Sequence, residues 1–400
     1  MKTHDYLEAK QYVITCISPV YIGSGEVLKQ WDYIYNKNKG IIYFLDKPQW
    51  IDLLSSRGLM EEFIEFVGRP GKLTSMNIPK WLTDRKISWE EIKSRASRVV
   101  AAPRSVMYDE KKKDTLNDLQ KGITLADGRL YIPGSSVKGM LRTGILYKYL
   151  KEHPDLRRRL AADVKRALEN VAKTQQQKER KRLKKDVKRA LENVAKTLEN
   201  EVNTLAYTGS GAAKSSLKGL LVSDAMPTEK ASSVVAVRRD ASTLKERNGE
   251  IQLGGMPICC ECLAPDTEYS LTVTMDKRMM AEMGIGSLDE IMASAREYLR
   301  ETVAIQQPVF GRDYSRQFKE AETADFILGG GTGFHHTSLW MFLFDDREEA
   351  MRLLRDYLEI ACKKHHHRDL DREISPRTLK LVESGSGLQL MGLCSIREAD

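Results

Sequence analysis

An α+β architecture in two domains is what this sequence predicts, on three observations. Four hundred residues exceed the usual span of one hydrophobic core. Runs with the two-residue period of strands alternate with stretches of helical period along the whole chain. The pattern changes after a strand run at Leu217 to Ser223, which places a boundary near residue 225 and gives regions 1–225 and 226–400. The 41% hydrophobic content can fill both cores, and no window reaches the roughly 18 consecutive apolar residues of a membrane span. Charge at Lys2, Asp5, Glu8 and Lys10, with no apolar leader, points to the cytoplasm. The six cysteines follow no secreted spacing and are expected as free thiols.

The elements follow in order. QYVITCISPV at 11–20 is a strand, closed by Pro19 and followed by a Gly-Ser-Gly turn at Gly23, Ser24 and Gly25. WDYIYN and IIYFLD, separated by Lys37 to Gly40, form a hairpin. From Trp50 to about Val100 the period is helical, with a capping box from Ser88 to Glu91, so a helical insertion is expected over about 48–120, ending in a loop at 101–120. RLYIPGSSVKGMLRTGILYKYL at 129–150 is a strand-to-helix junction. Pro133 and Gly134 break the strand, Ser135 or Ser136 caps, and Val137, Met140, Leu141, Gly144 and Ile145 share a face. Residues 234–250 and 257–275 are strands around a loop, the second alternating at Tyr269, Leu271, Val273 and Met275. Ser287 to Glu290 opens a helix to about Val303, the glycine loop LGGGTGF follows, and a helix from about Arg347 to Lys364 runs into His365 to Asp369. SPRTLKLV and GLQLMGLCSI close the chain.

The net charge of +8 is local. Residues 151–200 hold 16 Lys/Arg against 8 Asp/Glu, which accounts for all of it. DVKRALENVAKT occurs there twice, at 163–174 and 186–197. At about 100° per residue, this spacing turns a helix roughly 140° past whole turns, so one continuous helix cannot present both copies on a face. Two copies do not make a solenoid. Residues 151–207 therefore read as a duplicated basic insertion, a surface excursion rather than a dedicated binding arm.

Lys138 and Arg142, spaced i, i+4 near the start of the junction helix, can hold a phosphate beside its free N–H groups; the competing reading is an ordinary packed junction. Cys259 and Cys262, with Cys362 and the histidines as distant ligands, leave open a zinc-stabilised assembly module with little RNA contact. A single pair is weak, so core cysteines are favoured and no metal or cofactor is expected. His365, His366 and His367 point about 100° apart, so at most one enters a site. An endoribonuclease using one of them stays as an alternative, with no residue assigned as catalytic. The Gly329 to Gly333 loop lacks a P-loop lysine, which argues against a nucleotide triphosphatase. Glycine-rich turns at 23–25, 134–139, 209–211 and 329–333 let backbone approach a ligand closely, and this suits single-stranded RNA.

The motifs ISPVYIGSGEVL, IPGSSVKGMLR, LLVSD, VVAVRRD with ECLAPDTEY, and LGGGTGF occur in an order that resembles RAMP proteins of type III CRISPR effectors. The helical insertion and the HHHRD and SPRTLKLV ending make the chain most similar to the fifth-subunit family of the type III-A (Csm) complex. The resemblance implies two ferredoxin-like, RRM-related domains with helical insertions. It implies an RNA-binding subunit in antiviral defence, which caps the backbone filament at the 3′ end of the CRISPR RNA and supports its maturation. The implied partners are single-stranded CRISPR RNA, the repeated RAMP backbone subunit and host nucleases, with no membrane. Carried over by position, Gly23, Ser24, Gly25, Ser135, Ser136, Lys138, Arg142, Gly329, Gly330, Gly331, Thr332 and Gly333 are the expected RNA contacts, joined by His366. The duplicated basic segment departs from the family pattern.

Reversing Lys138 and Arg142 to Glu is expected to weaken RNA binding across sequences and to flatten the log–log salt dependence by about 0.7 per lost phosphate contact. Titrations at several salt concentrations check this, and an unchanged slope would make the junction purely structural.

Overall fold

A computed structural model describes residues 5–29, 31–68, 78–102, 118–173 and 216–399. In chain order the strands are β1 (Leu7–Cys16), β2 (Gly23–Leu28), β3 (Tyr33–Asn36), β4 (Ile41–Leu45), β5 (Ala96–Ala101), β6 (Leu119–Gly122), β7 (Leu220–Val222) and β8 (Met226–Pro227). They continue with β9 (Ser233–Arg247), β10 (Glu250–Leu263), β11 (Thr267–Asp276), β12 (Phe326–Ile327), β13 (Thr378–Ser384), β14 (Gly387–Leu390) and β15 (Leu393–Glu398). The helices that bear on the site and its cores are α1 (Lys47–Ser56), α2 (Met60–Gly68), α3 (Ile78–Asp84), α4 (Trp89–Ser94), α5 (Gly134–Glu152), α6 (Pro154–Lys173), α7 (Leu288–Phe310) and α8 (Arg347–Ala361).

The first sheet has the order β12-β15-β1-β11-β7, with β8 also on β11. β1 is antiparallel to β11 from Leu7 opposite Asp276 to Cys16 opposite Thr267, and antiparallel to β15 on its other edge. Alternation sends Tyr12, Ile14 and Cys16 of β1 and Tyr269, Leu271, Val273 and Met275 of β11 into one core with α5 and α7. The strands and helices of this layer arrive as β1, α5, β7, β11, α7, β15. Where the two helices meet, a Cβ on Gly144 would lie 2.8 Å from Ala295 Cα, so only glycine permits that approach.

The second sheet, β2-β6-β10-β9-β5-β4-β3 with β13 on β9 and β14 on β13, is built from the segments between those elements. Both sheets draw strands from either side of residue 225, so a cut there would separate β1 from β11 and β6 from β10. β9 and β10 join through Asn248 and Gly249, both at positive φ, the two-residue hairpin turn that Asn-Gly favours. α1 to α4 cover one face of the β3–β4 hairpin with Trp50, Leu53, Leu54, Phe63 and Trp81 around Ile34 and Tyr43. The capping box from Ser88 to Glu91 starts α4. No helix among the described residues is long and apolar enough to cross a membrane.

Several local expectations are corrected. Gly23 to Gly25 opens β2 instead of making a turn: a register shift against β6 between Gly23 and Val27 bulges this strand, with Gly25 at φ +86°. The helical stretch stops at Ser94, and Ala96–Ala101 becomes β5 because it completes the ladder beside β4. Leu119–Gly122 is strand β6, whereas 103–117 of the expected loop lie outside the described residues. α5 starts at Pro133 without a side-chain cap from Ser135 or Ser136. α7 continues past Val303 to Phe310, and α8 ends at Ala361. Residues 163–173 of the first basic repeat lie in α6 and are no free excursion, since Val164 and Leu168 enter the main core. The second copy, the spacer and the glycine turn at 209–211 lie outside the described residues.

Gly144→Val is expected to destabilise the fold by about 1–3 kcal/mol through overpacking. Urea denaturation reads this as a lower midpoint, and an unchanged midpoint would mean that α5 and α7 part without loss.

Candidate nucleic-acid interface

Two glycine segments from opposite ends of the chain meet where the Gly330 N–H donates to the Tyr21 carbonyl at 2.7 Å. Gly329, Gly331 and Gly333 adopt φ of +91°, +81° and +104°, conformations that side-chain-bearing residues rarely hold. A Cβ on Gly329 would also run into the Tyr21 carbonyl. Beside this contact is a cavity of about 340 Å³ between the start of β2, α5, α7 and the glycine loop. Gly23, Ser136, Gly329, Gly330 and Thr332, five of the expected RNA contacts, line it together.

The other expected contacts fall around it. Ser24 and Gly25 are exposed on β2, where the Ser24 hydroxyl donates to the Lys121 carbonyl at 3.2 Å, and Ser135 is exposed in the first turn of α5. Gly331 and Gly333 lie over the second sheet: their added Cβ atoms would sit 3.0 Å from Arg238 Nη1 and 3.2 Å from Lys380 Cγ. Lys138 and Arg142 do not line the cavity. At 100° per residue they sit about 130° around α5 from Ser136, Gly139, Met140 and Thr143, which do. Burial holds the Lys138 ammonium below its usual pKa. The first free N–H of α5, on Gly134, donates to Asp224 Oδ1 at 2.7 Å, so a carboxylate of the chain itself occupies this phosphate-like position.

His366 is exposed, in the left-handed conformation at φ +49°, and is not a lining residue of the cavity. His367 is buried instead, with Nδ1 2.7 Å from Asp371 Oδ2, a carboxylate that Ser375 and Arg377 also reach. The cysteine pair is split by the strand. Cys259 packs with Val235 and Val237, whereas Cys260 and Cys262 share the opposite face with Val382 and Met391. Residues three apart on a strand cannot close on one ion, and burial pushes the Cys260 thiol up to about 12. Among the described residues no three potential ligands gather for a metal.

Sequence reasoning missed Arg238 and His336. Arg238 is half-buried on the face of β9 that also carries Val234 and Ala236, and among the described residues its guanidinium makes no hydrogen bond or ion pair. It stands beside the glycine loop, while Lys380 nearby is bonded to Asp240 at 2.6 Å. The available signal was VVAVRRD, an alternating apolar strand with a cation at an inward position. His336 lines the cavity with Nδ1 2.9 Å from Thr302 Oγ1 and Nε2 2.9 Å from Gln306 Oε1. Gln306 Oε1 only accepts, so Nε2 carries the proton, and the single proton of the Thr302 hydroxyl is within reach of both Nδ1 and the Leu299 carbonyl, each 2.9 Å away. Burial pushes His336 down to about 3 and His335 to about 4, and both rings are neutral at physiological pH.

These folded values lie below the ordinary 6.5, so on acidification the unfolded chain takes up the protons first. Their stability contribution is complete above pH 6.5 and is lost as pH falls toward the folded values, by up to about 1.4 kcal/mol per pH unit for each ring. Urea unfolding between about pH 7 and pH 5 should show this loss, and His336→Gln should reduce its slope. An equal slope in the variant would mean that His336 is not buried neutral.

The RAMP superfamily model matches residues 13–251, more than half of the chain. A curated Mycobacterium tuberculosis protein described as CRISPR system Cms protein Csm5 is 25% identical over 410 residues, covering 99% of each chain. Proteins of the same description from Enterococcus italicus and Streptococcus thermophilus are 26% and 28% identical over 146 residues, covering 33% and 35% of this chain and 41% and 38% of theirs. In fold, the chain is similar to one from the cryo-EM structure of a Csm–crRNA–target RNA ternary complex of a type III-A CRISPR–Cas system. That likeness has a TM-score of 0.64 at 18% identity and covers 98% of this chain and 100% of the other. It is also similar to the crystal structure of T. onnurineus Csm5, with a TM-score of 0.56 at 17% identity over 96% and 99% of the two chains. The motif order read along the sequence and the family match over its N-terminal and central portion agree, and the chain belongs to the RAMP superfamily.

Proposed function

We propose that this chain is an RNA-binding subunit of a type III-A (Csm) CRISPR effector, acting in the cytoplasm in antiviral defence. It caps the backbone filament at the 3′ end of the CRISPR RNA and supports maturation of that RNA. The observation that carries the reading is convergence: Gly23, Ser136, Gly329, Gly330 and Thr332, expected as RNA contacts from separate motifs, surround one cavity, with Arg238, whose guanidinium has no partner among the described residues, close by. Similarity along 99% of a Csm5 protein supports it, as does a fold like that of a chain from a complex with crRNA. The order β15-β1-β11-β7, with α5 and α7 between strands, supports reading this sheet as a ferredoxin-like unit. The second sheet is read as the other RAMP domain of the pair, inserted into the first.

The outward face of β1 and β11 carries Leu7, Ala9, Gln11, Ser270, Thr272 and Thr274, with no aromatic ring among them. Bases therefore lack a stacking platform on that face, and the glycine turns with Arg238 are the better RNA path. Gly331 brings backbone to the guanidinium, which supplies a phosphate contact. The repeated RAMP backbone subunit is the neighbour this reading requires, and trimming of the guide falls to nucleases outside the chain.

Labelled single-stranded CRISPR RNA titrated at several salt concentrations tests the reading. Salt-sensitive retention of intact RNA is expected, with Arg238→Ala lowering the log–log slope by about 0.7. An unchanged slope would move the phosphate path elsewhere, and shortened RNA would make the chain a nuclease.

A further inference from the structure

We propose that the cavity between α5, α7 and the glycine loop is a pocket for one nucleobase, unstacked from the strand that passes the glycine turns; this rests on the RNA-binding reading above. At about 340 Å³ it is at the lower end of the roughly 300–1,000 Å³ typical of small-ligand sites. Among the described residues its lining contains no Asp, Glu, Lys or Arg. The ring of His336 at its wall is neutral and already bonded to Thr302 and Gln306. A phosphate finds no counter-charge there, whereas an uncharged planar ring does not need one.

The walls suit such a ring. Met140, Leu299 and Leu328 offer apolar surface, and the hydroxyls of Ser136 and Thr332 offer partners for a base edge. Gly139 leaves a notch: a Cβ placed on it would have no atom within 4 Å. Gly23 and Gly330 also line the cavity, so backbone that carries the sugar–phosphate chain and space for a base adjoin. Arg238 stands on the other side of the glycine loop, beside Gly331, and so phosphate and base would be received at separate places.

The test uses the full chain and 5′-labelled single-stranded RNA in which an abasic nucleotide is moved one position at a time. At one position, loss of the base should weaken binding about fivefold or more, with little effect at its neighbours. Gly139→Leu, whose side chain fills the notch, should weaken binding of intact RNA by a similar factor and remove the sensitivity to that abasic position. Gly139→Ala, a better helix former than glycine, should give a smaller step in the same direction without loss of fold. If the parent binds RNA with the expected salt dependence but no position responds, or if both variants keep the parent's affinity and abasic profile, the pocket is refuted while the RNA-binding reading stands. If the chain binds no RNA, that reading fails and the pocket with it.

Discussion

β1 runs between β11 and β15, and the position of the candidate site depends on this pairing. Immediately after β1, the Ser18 hydroxyl accepts from the Leu393 N–H at 2.8 Å, and the Pro19 carbonyl accepts from the Gly392 N–H at 3.1 Å. The Gly392 carbonyl in turn accepts from the Leu328 N–H, and the Tyr21 carbonyl from Gly330. The glycine loop is thus held by main-chain bonds from two sides, at a point set by strands from both ends of the chain. Side-chain packing then needs only to fill what this backbone scaffold leaves.

Charge is distributed around that scaffold in a way that separates two kinds of contact. Among the described residues Arg238 has no carboxylate partner, although Lys380 nearby is neutralised by Asp240. A half-buried guanidinium left in this state is poorly compensated within the chain, and an external anion stabilises it. The cavity on the other side of the loop has no charged lining among the described residues, and its histidine is held neutral by burial. At the start of α5 the carboxylate of Asp224 occupies the place that would otherwise attract an anion. The same negative charge beside the helix terminus disfavours phosphate at the junction, which turns attention from α5 to β9.

The insertions do structural work. α1 to α4 cover one side of the β3–β4 hairpin, and α6, which includes the first basic repeat, adds Val164 and Leu168 to the main core while Lys165 pairs with Glu349 of α8 at 2.8 Å. The amphipathic pattern of that repeat has one apolar side to bury and one charged side to solvate. High local charge therefore does not make the whole segment a binding arm.

Local chemistry made much of this legible in the sequence. The β3–β4 hairpin, the capping box at Ser88, the buried face of α5 and the alternation of β11 all rest on residues two to four apart, which is the range over which backbone periodicity acts. The glycine loop at 329–333 was recognisable because a backbone without Cβ is needed wherever chain or ligand comes close, whereas Gly23 to Gly25 reads as a turn and opens a strand. The Asn248-Gly249 hairpin was equally available, while β5, ASRVVA with only Val100 buried, lacks the apolar alternation that announces a strand. Tertiary structure alone decided that Gly23 and Gly330 adjoin, that Cys259 and Cys262 face apart, that Asp224 takes the α5 terminus, and that Arg238 stands beside the glycine loop with no partner among the described residues. Each of these depends on strand pairing or packing between segments far apart in the chain, and period and spacing carry no information about which distant strand will lie alongside.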